Sequence, residues 1–238
     1  MRINGIDIAV YGARQQNVEM GYAEIANSSE WPEGRASPMM LPGTVGFKKI
    51  RVGIILKGDS RADIWSKGSQ LLSQLIQPCV VSLDGFNNNF YVFLRNVSQA
   101  EQSIKRWHKA TVELVGFEYG NQIVQTGINT TFEVDNPGTI LTPAIIEITP
   151  SIGIISAVIS GIVRDAVTGE DKPIILQNLS KDKTVIIDGE TGLITEDGVN
   201  KFADVELFDL PSLLPGKNEI ITDNSNMTIV IKYKPRYI

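Results

Sequence analysis

Residues 204–238 read DVELFDLPSLLPGKNEIITDNSNMTIVIKYKPRYI. Val205–Phe208 is a short apolar run closed by Pro211, and Met227–Tyr233 alternates apolar and polar residues up to Pro235. Such runs are strands, because alternation at period two puts one face of an extended chain toward a core. Between them lies Leu214-Pro215-Gly216-Lys217-Asn218. Proline presets a turn φ there, glycine accepts a positive one, and asparagine bonds back to its own backbone. Working upstream, the pattern repeats at Ile145–Thr149, Ile154–Ile159, Ile174–Leu176, Thr184–Asp188 and Leu193–Thr195. Seven short strands in about 100 residues predict an antiparallel β-sandwich. Asp135-Asn136-Pro137-Gly138 is the turn or linker that opens this part.

The first part has a different texture. Residues 1–136 hold 13 Lys/Arg and 13 Asp/Glu, whereas 137–238 hold 9 and 14, so the whole net charge of −5 belongs to the second part. All three Trp, the single His and the single Cys lie in the first. Ile3–Val10 and Ile50–Lys57 read as strands. Residues 12–46 are polar, carry Pro32, Pro38 and Pro42, and are too long for an ordinary connection, which predicts either an extended functional arm or a disordered segment. Ser60, with Asp63 three residues on, predicts a helix start. Ile64, Trp65, Gly68, Leu71, Leu72, Leu75 and Ile76 then recur at helical spacing, predicting a helix over about 61–77 with this stripe in the core. A hairpin over 79–95 and a long strand within Ser103–Tyr119 follow, with a kink or bulge at Val115-Gly116-Phe117. The expected organisation is two domains, 1–134 and 139–238, in a mainly β chain with one helix.

The inventory excludes much chemistry. One Cys cannot close a disulfide within the chain, and one Cys with one His cannot complete a zinc site. Serine or cysteine hydrolysis needs a histidine base, and His108 sits between cations at a strand start, where a structural role is expected. Cys79 follows Pro78 and is read as a buried, inert thiol. Asp188, Glu190, Glu196 and Asp197 could hint at calcium or a carboxylate pair, but they sit where hairpin turns use such residues. No phosphate-binding glycine loop is present, and the acidic balance disfavours nucleic acid as the main partner. Ile148–Val163 is uncharged, yet its Pro150, Gly153 and Gly161 favour two buried strands over a membrane span. The first residues carry no apolar export signal. The expectation is therefore no catalytic, cofactor-binding or metal-binding residues, and no enzyme.

The closing stretch also resembles a family: the distal tail proteins (Dit) of long-tailed, non-contractile bacteriophages. The likeness rests on Leu213, Pro215, Gly216, Asn218 and Ile220, then on Tyr233, Pro235, Arg236 and Tyr237. Val185-Ile186-Ile187-Asp188-Gly189 and Val134-Asp135-Asn136-Pro137-Gly138 with Pro143 are similar to further parts of its second domain. The resemblance implies an N-terminal domain that forms a six-membered ring and a galectin-like C-terminal sandwich. It implies a virion protein of the tail tip, made in the host bacterial cytoplasm. Its partners would be copies of itself, tail tube, tape-measure, tail-tip and receptor-binding baseplate proteins, without membrane contact and with DNA passing through the ring. Trp31, Met39, Met40 and Leu41 on a polar arm suggest that the arm packs on a neighbouring copy. The alternative is a carbohydrate-binding module recognising the host cell surface, which the absence of Trp and His from the second part disfavours. A spike hydrolase and a tube protein are more distant rivals.

Overall fold

The computed structural model of the protein describes residues 1–26, 29–40, 43–99, 106–165 and 168–238. Leu41 and Pro42 of the arm, and the strand start expected at Ser103, lie outside these. The chain divides into two compact units, Met1–Gly120 and Asn121–Tyr237, with Ile238 grouped with the first. The division falls earlier than the turn at Asn136. Ile123–Gly127 pairs with Met227–Tyr233, and Thr131–Asn136 pairs with Gly216–Thr222, so both strands belong to the second unit.

The body of the N-terminal unit is built on one antiparallel sheet. Its order is Ile6–Asp7, Arg2–Ile3, Cys79–Ser82, Asn89–Gln99, Trp107–Tyr119, Lys48–Lys57 and Ala13–Met20. Alternation decides which face is covered: Ile50, Val52, Ile54 and Leu56 are buried with Phe90, Val92, Val112 and Leu114. The helix Arg61–Ser73 covers this face through Ile64, Gly68 and Leu71. Ser60 caps it, its hydroxyl accepting from the Asp63 N–H at 3.2 Å.

Several expectations for this unit change. The helix stops at Ser73, short of 77, because the chain turns at Gln74 and the Leu75 carbonyl accepts from the Leu94 N–H at 2.9 Å. Ile3–Val10 is not one strand. Asn4 and Gly5 both adopt positive φ, the signature of a two-residue hairpin turn, and a 3₁₀ turn follows at Ile8–Tyr11. Ala13–Met20, read as arm, is the edge strand of the sheet, with a bulge between Gln15 and Val18. The bulge points Asn17 at Gly53, where a Cβ would stand 1.9 Å from Asn17 Oδ1, so any larger residue would have to push that side chain aside. No break occurs at Val115-Gly116-Phe117. The irregularity is on the partner strand, between Leu94 and Asn96, and Gly116 is needed because a Cβ there would meet the Tyr91 carbonyl at 2.0 Å.

The C-terminal unit is two antiparallel sheets around one core. One runs Ile123–Gly127, Met227–Tyr233, Thr142–Pro150, Val185–Asp188, Ile194–Glu196 and Val199–Asn200; the other runs Thr131–Asn136, Gly216–Thr222, Ile154–Ser160, Ile174–Leu179 and Val205–Glu206. The uncharged stretch Ile148–Val163 supplies a strand to each sheet. Ile146, Ile148, Ile187 and Ile231 from the first sheet and Ala157, Ile159, Ile174 and Ile220 from the second form a single buried cluster. Among the described residues the molecule is therefore mainly β with one α-helix.

Candidate assembly site

The residues that drew chemical suspicion each have a structural occupation. Cys79 is buried, and burial pushes its thiol pKa up, which suppresses the thiolate. Asp188 forms a turn clasp, accepting from the backbone N–H groups of Glu190 (2.8 Å) and Thr191 (3.2 Å) and from the Thr191 hydroxyl (2.7 Å). Burial pushes its carboxyl upward, but these three donors outweigh it and hold the pKa below the ordinary aspartate value. Asp197 accepts from the Thr184 N–H, and Glu190 meets Arg236 at 3.1 Å. Glu196 takes the Lys201 ammonium at 3.1 Å and the Ser180 N–H at 3.2 Å. The four carboxylates thus fall in two turns, Asp188 with Glu190 in one and Glu196 with Asp197 in the other, and each has a hydrogen-bond or ion-pair partner there. Sequence reasoning missed Lys201, a buried ammonium held by Glu196, Asp204 and the Asn178 carbonyl. Its signal was only a lysine ending an otherwise ordinary hairpin.

The turn residues that carried the family likeness form a polar clasp. Asn218 Oδ1 accepts from the Leu214 N–H at 2.9 Å, while its Nδ2 donates to the carbonyls of Leu214 (2.9 Å) and Gly216 (3.0 Å). Asn136 Nδ2 donates to the Leu213 and Leu214 carbonyls at 3.2 Å, and its Oδ1 accepts from the Gly138 N–H at 3.0 Å. Two buried amides therefore saturate both the Asn-Pro-Gly and the Pro-Gly-Lys-Asn turns.

Two features of the N-terminal unit are left unsatisfied. The first is the arm, which continues the hairpin of Ala13–Met20 and Lys48–Lys57. Ile25–Ala26 pairs with Thr44–Val45, and Ser29–Glu30 with Met39–Met40. Tyr22 is 84% exposed, Trp31 68% and Ile25 55%. The Trp31 indole N–H donates to the Arg35 carbonyl at 2.9 Å, which fixes the ring at the arm's end without burying it.

The second is an apolar groove of about 380 Å³ between the helix and the sheet, lined by Leu56, Ile64, Trp65, Leu72, Ile76, Val97 and His108 among others. The sequence stripe placed Trp65 and Ile76 in the core. They are instead 50% and 63% exposed and form the groove's rim, because the helix ends before it can carry Ile76 onto the sheet. His108 is buried with its ring 5.6 Å from that of Trp65, centroid to centroid. The two are 43 positions apart, so no local pattern joins them.

Comparisons with known proteins place this geometry. Residues 137–237 match the family model of the siphovirus-type tail component, C-terminal domain. A search of curated protein sequences finds no match. Among solved structures, the SPP1 Dit protein superposes with a TM-score of 0.79 at 13% identity, covering 99% of this chain and 98% of that one. The phage P2 baseplate in its activated conformation with calcium gives 0.54 at 10% identity over 96% of this chain and 92% of the other. Its strontium form gives 0.53 at 11%, over 98% and 94%. Residues 137–237 thus match the C-terminal domain of the siphovirus-type tail component, and along its length the chain has the fold of the SPP1 Dit protein.

Proposed function

We propose that the protein is a structural hub of a phage tail tip, in which copies close into a ring, expected to be hexameric, between the tail tube and the host-binding apparatus. The observation that carries this reading is the likeness to SPP1 Dit over nearly the whole of both chains. That protein is described as a paradigm of the hub adsorption apparatus in phages infecting Gram-positive bacteria, and the phage P2 likenesses are to baseplate assemblies. In this reading the ring is made by Met1–Gly120 and the C-terminal unit is a galectin-like sandwich. The tape-measure, tube, tail-tip and receptor-binding proteins are the partners, and the virion is the location. The role is structural, not catalytic.

Ring closure needs a heterologous contact repeated by rotation. The arm supports it, since Tyr22, Ile25 and Trp31 stay more than half exposed within their own copy. Light scattering with negative-stain microscopy tests the proposal: rings with a central channel are expected. Deleting residues 28–44 should leave folded monomers. Normal rings from that deletion would remove the arm from closure, and a wild-type protein that stays monomeric at all concentrations would sink the ring itself.

A further inference from the structure

The geometry points to the groove between the helix and the sheet as the receptor for the Trp31 end of a neighbouring copy's arm. This deepens the ring reading and rests on it. Three observations carry it.

The first is position. Both features are built on the strand Lys48–Lys57, at opposite ends. The arm leaves where Met20 and Ile50 end their ladder, whereas the groove is floored by Leu56 and His108 at the other end. Ten residues of strand span about 30 Å. The arm also runs on from its ladder, because Glu24 N–H donates to the Phe47 carbonyl and Gly46 N–H to the Glu24 carbonyl. A surplus at one end and a deficit at the other is the head-to-tail arrangement that a rotational ring requires, and that a two-fold dimer does not.

The second is fit. The groove offers apolar side chains around Trp65 and His108, and the arm presents one indole already held by its hydrogen bond to Arg35. A fixed aromatic anchor entering an apolar slot loses little conformational freedom on binding.

The third is charge. Trp31 is flanked by Glu30 and Glu33, and residues 21–47 contain three Glu against one Arg. At the groove, Arg61 lies one helical turn before Trp65, and Arg106 lies two residues before His108. Acid around the anchor and base around the slot set the register of the contact.

The test places a photoreactive benzophenone amino acid at position 31 of the full-length protein. Equal amounts of nitrogen-14 and nitrogen-15 protein are mixed before irradiation, and the crosslinked peptides are mapped by mass spectrometry. The expected result is isotopically mixed crosslinks, between copies, to residues 61–76 or 106–110. Trp65→Ala should raise the concentration for half-assembly at least tenfold while the circular dichroism spectrum stays native. Gln70→Ala, on the same helix but outside the groove, should leave assembly unchanged. Rings whose crosslinks map elsewhere, or only within one copy, would overturn the arm-in-groove contact while leaving the ring standing. Wild-type protein that stays monomeric would overturn both.

Discussion

The two units cover their apolar faces in different ways. In the C-terminal unit each sheet covers the other, and Ile146, Ile159, Ile187 and Ile220 meet in one cluster without exposure. In the N-terminal unit one sheet faces a single helix of 13 residues. That cover is incomplete: between helix and sheet it leaves the groove at Trp65, whose rim residues Trp65 and Ile76 are half exposed or more. Closed packing makes a unit stable by itself, while incomplete packing leaves it something to offer a partner.

The sharpest way to break this comparison is to weigh a closed side chain against an open one. Ile146→Ala should cost about 2–5 kcal/mol in urea unfolding, since a fully buried branched side chain leaves a cavity behind. The helix that forms the incomplete cover depends on its cap, so Ser60→Ala should cost about 0.5–2 kcal/mol in the same measurement. Trp65→Ala should cost about 1 kcal/mol or less, because half of the ring is already in water. If it cost as much as Ile146→Ala, Trp65 would belong to a closed core and the contrast would fail.

The smallest effect concerns acid. The folded Asp188 carboxyl titrates below its ordinary value of about 3.9. A depressed carboxyl contributes stability in full above the unfolded pKa and loses it as pH falls through the folded one. Stability of the C-terminal unit should therefore decline below about pH 4, and Asp188→Asn should flatten that decline in acid titrations followed by circular dichroism. An unchanged acid slope would mean that the clasp is electrostatically idle.

How much of this was legible in the sequence differs between the units for the same reason. Clean alternation in Ile145–Thr149 and Met227–Tyr233 shows a face, and turn residues show the ends. The edge strand Ala13–Met20 reads ARQQNVEM, mostly polar and bulged at Gln15–Val18, so its alternation shifts phase and it passed for arm. Ile123–Gly127 and Thr131–Asn136 fell on the wrong side of the boundary because the Asn-Pro-Gly turn after them is a stronger local signal than strand pairing with residues 80 or more positions away. Ser60 was readable because capping is local. The Trp65–His108 contact was not, because only the sheet brings those positions together. Helical spacing put Trp65 and Ile76 on the right face, but spacing carries no information on whether the opposing surface is wide enough to cover them.

The clasp at Asn218 has a consequence for how the protein ages. Its amide nitrogen serves two carbonyls at 2.9 and 3.0 Å, a job that requires a donor. Deamidation exchanges that nitrogen for an oxygen and sets a carboxylate against the same two acceptors. A change of one heavy atom, nearly invisible to mass and shape, would thus turn this anchored loop of the sandwich into a site of repulsion. Stored samples should lose native fold in step with acid appearing at this position, a hydrolytic clock written into a turn that otherwise does only structural work.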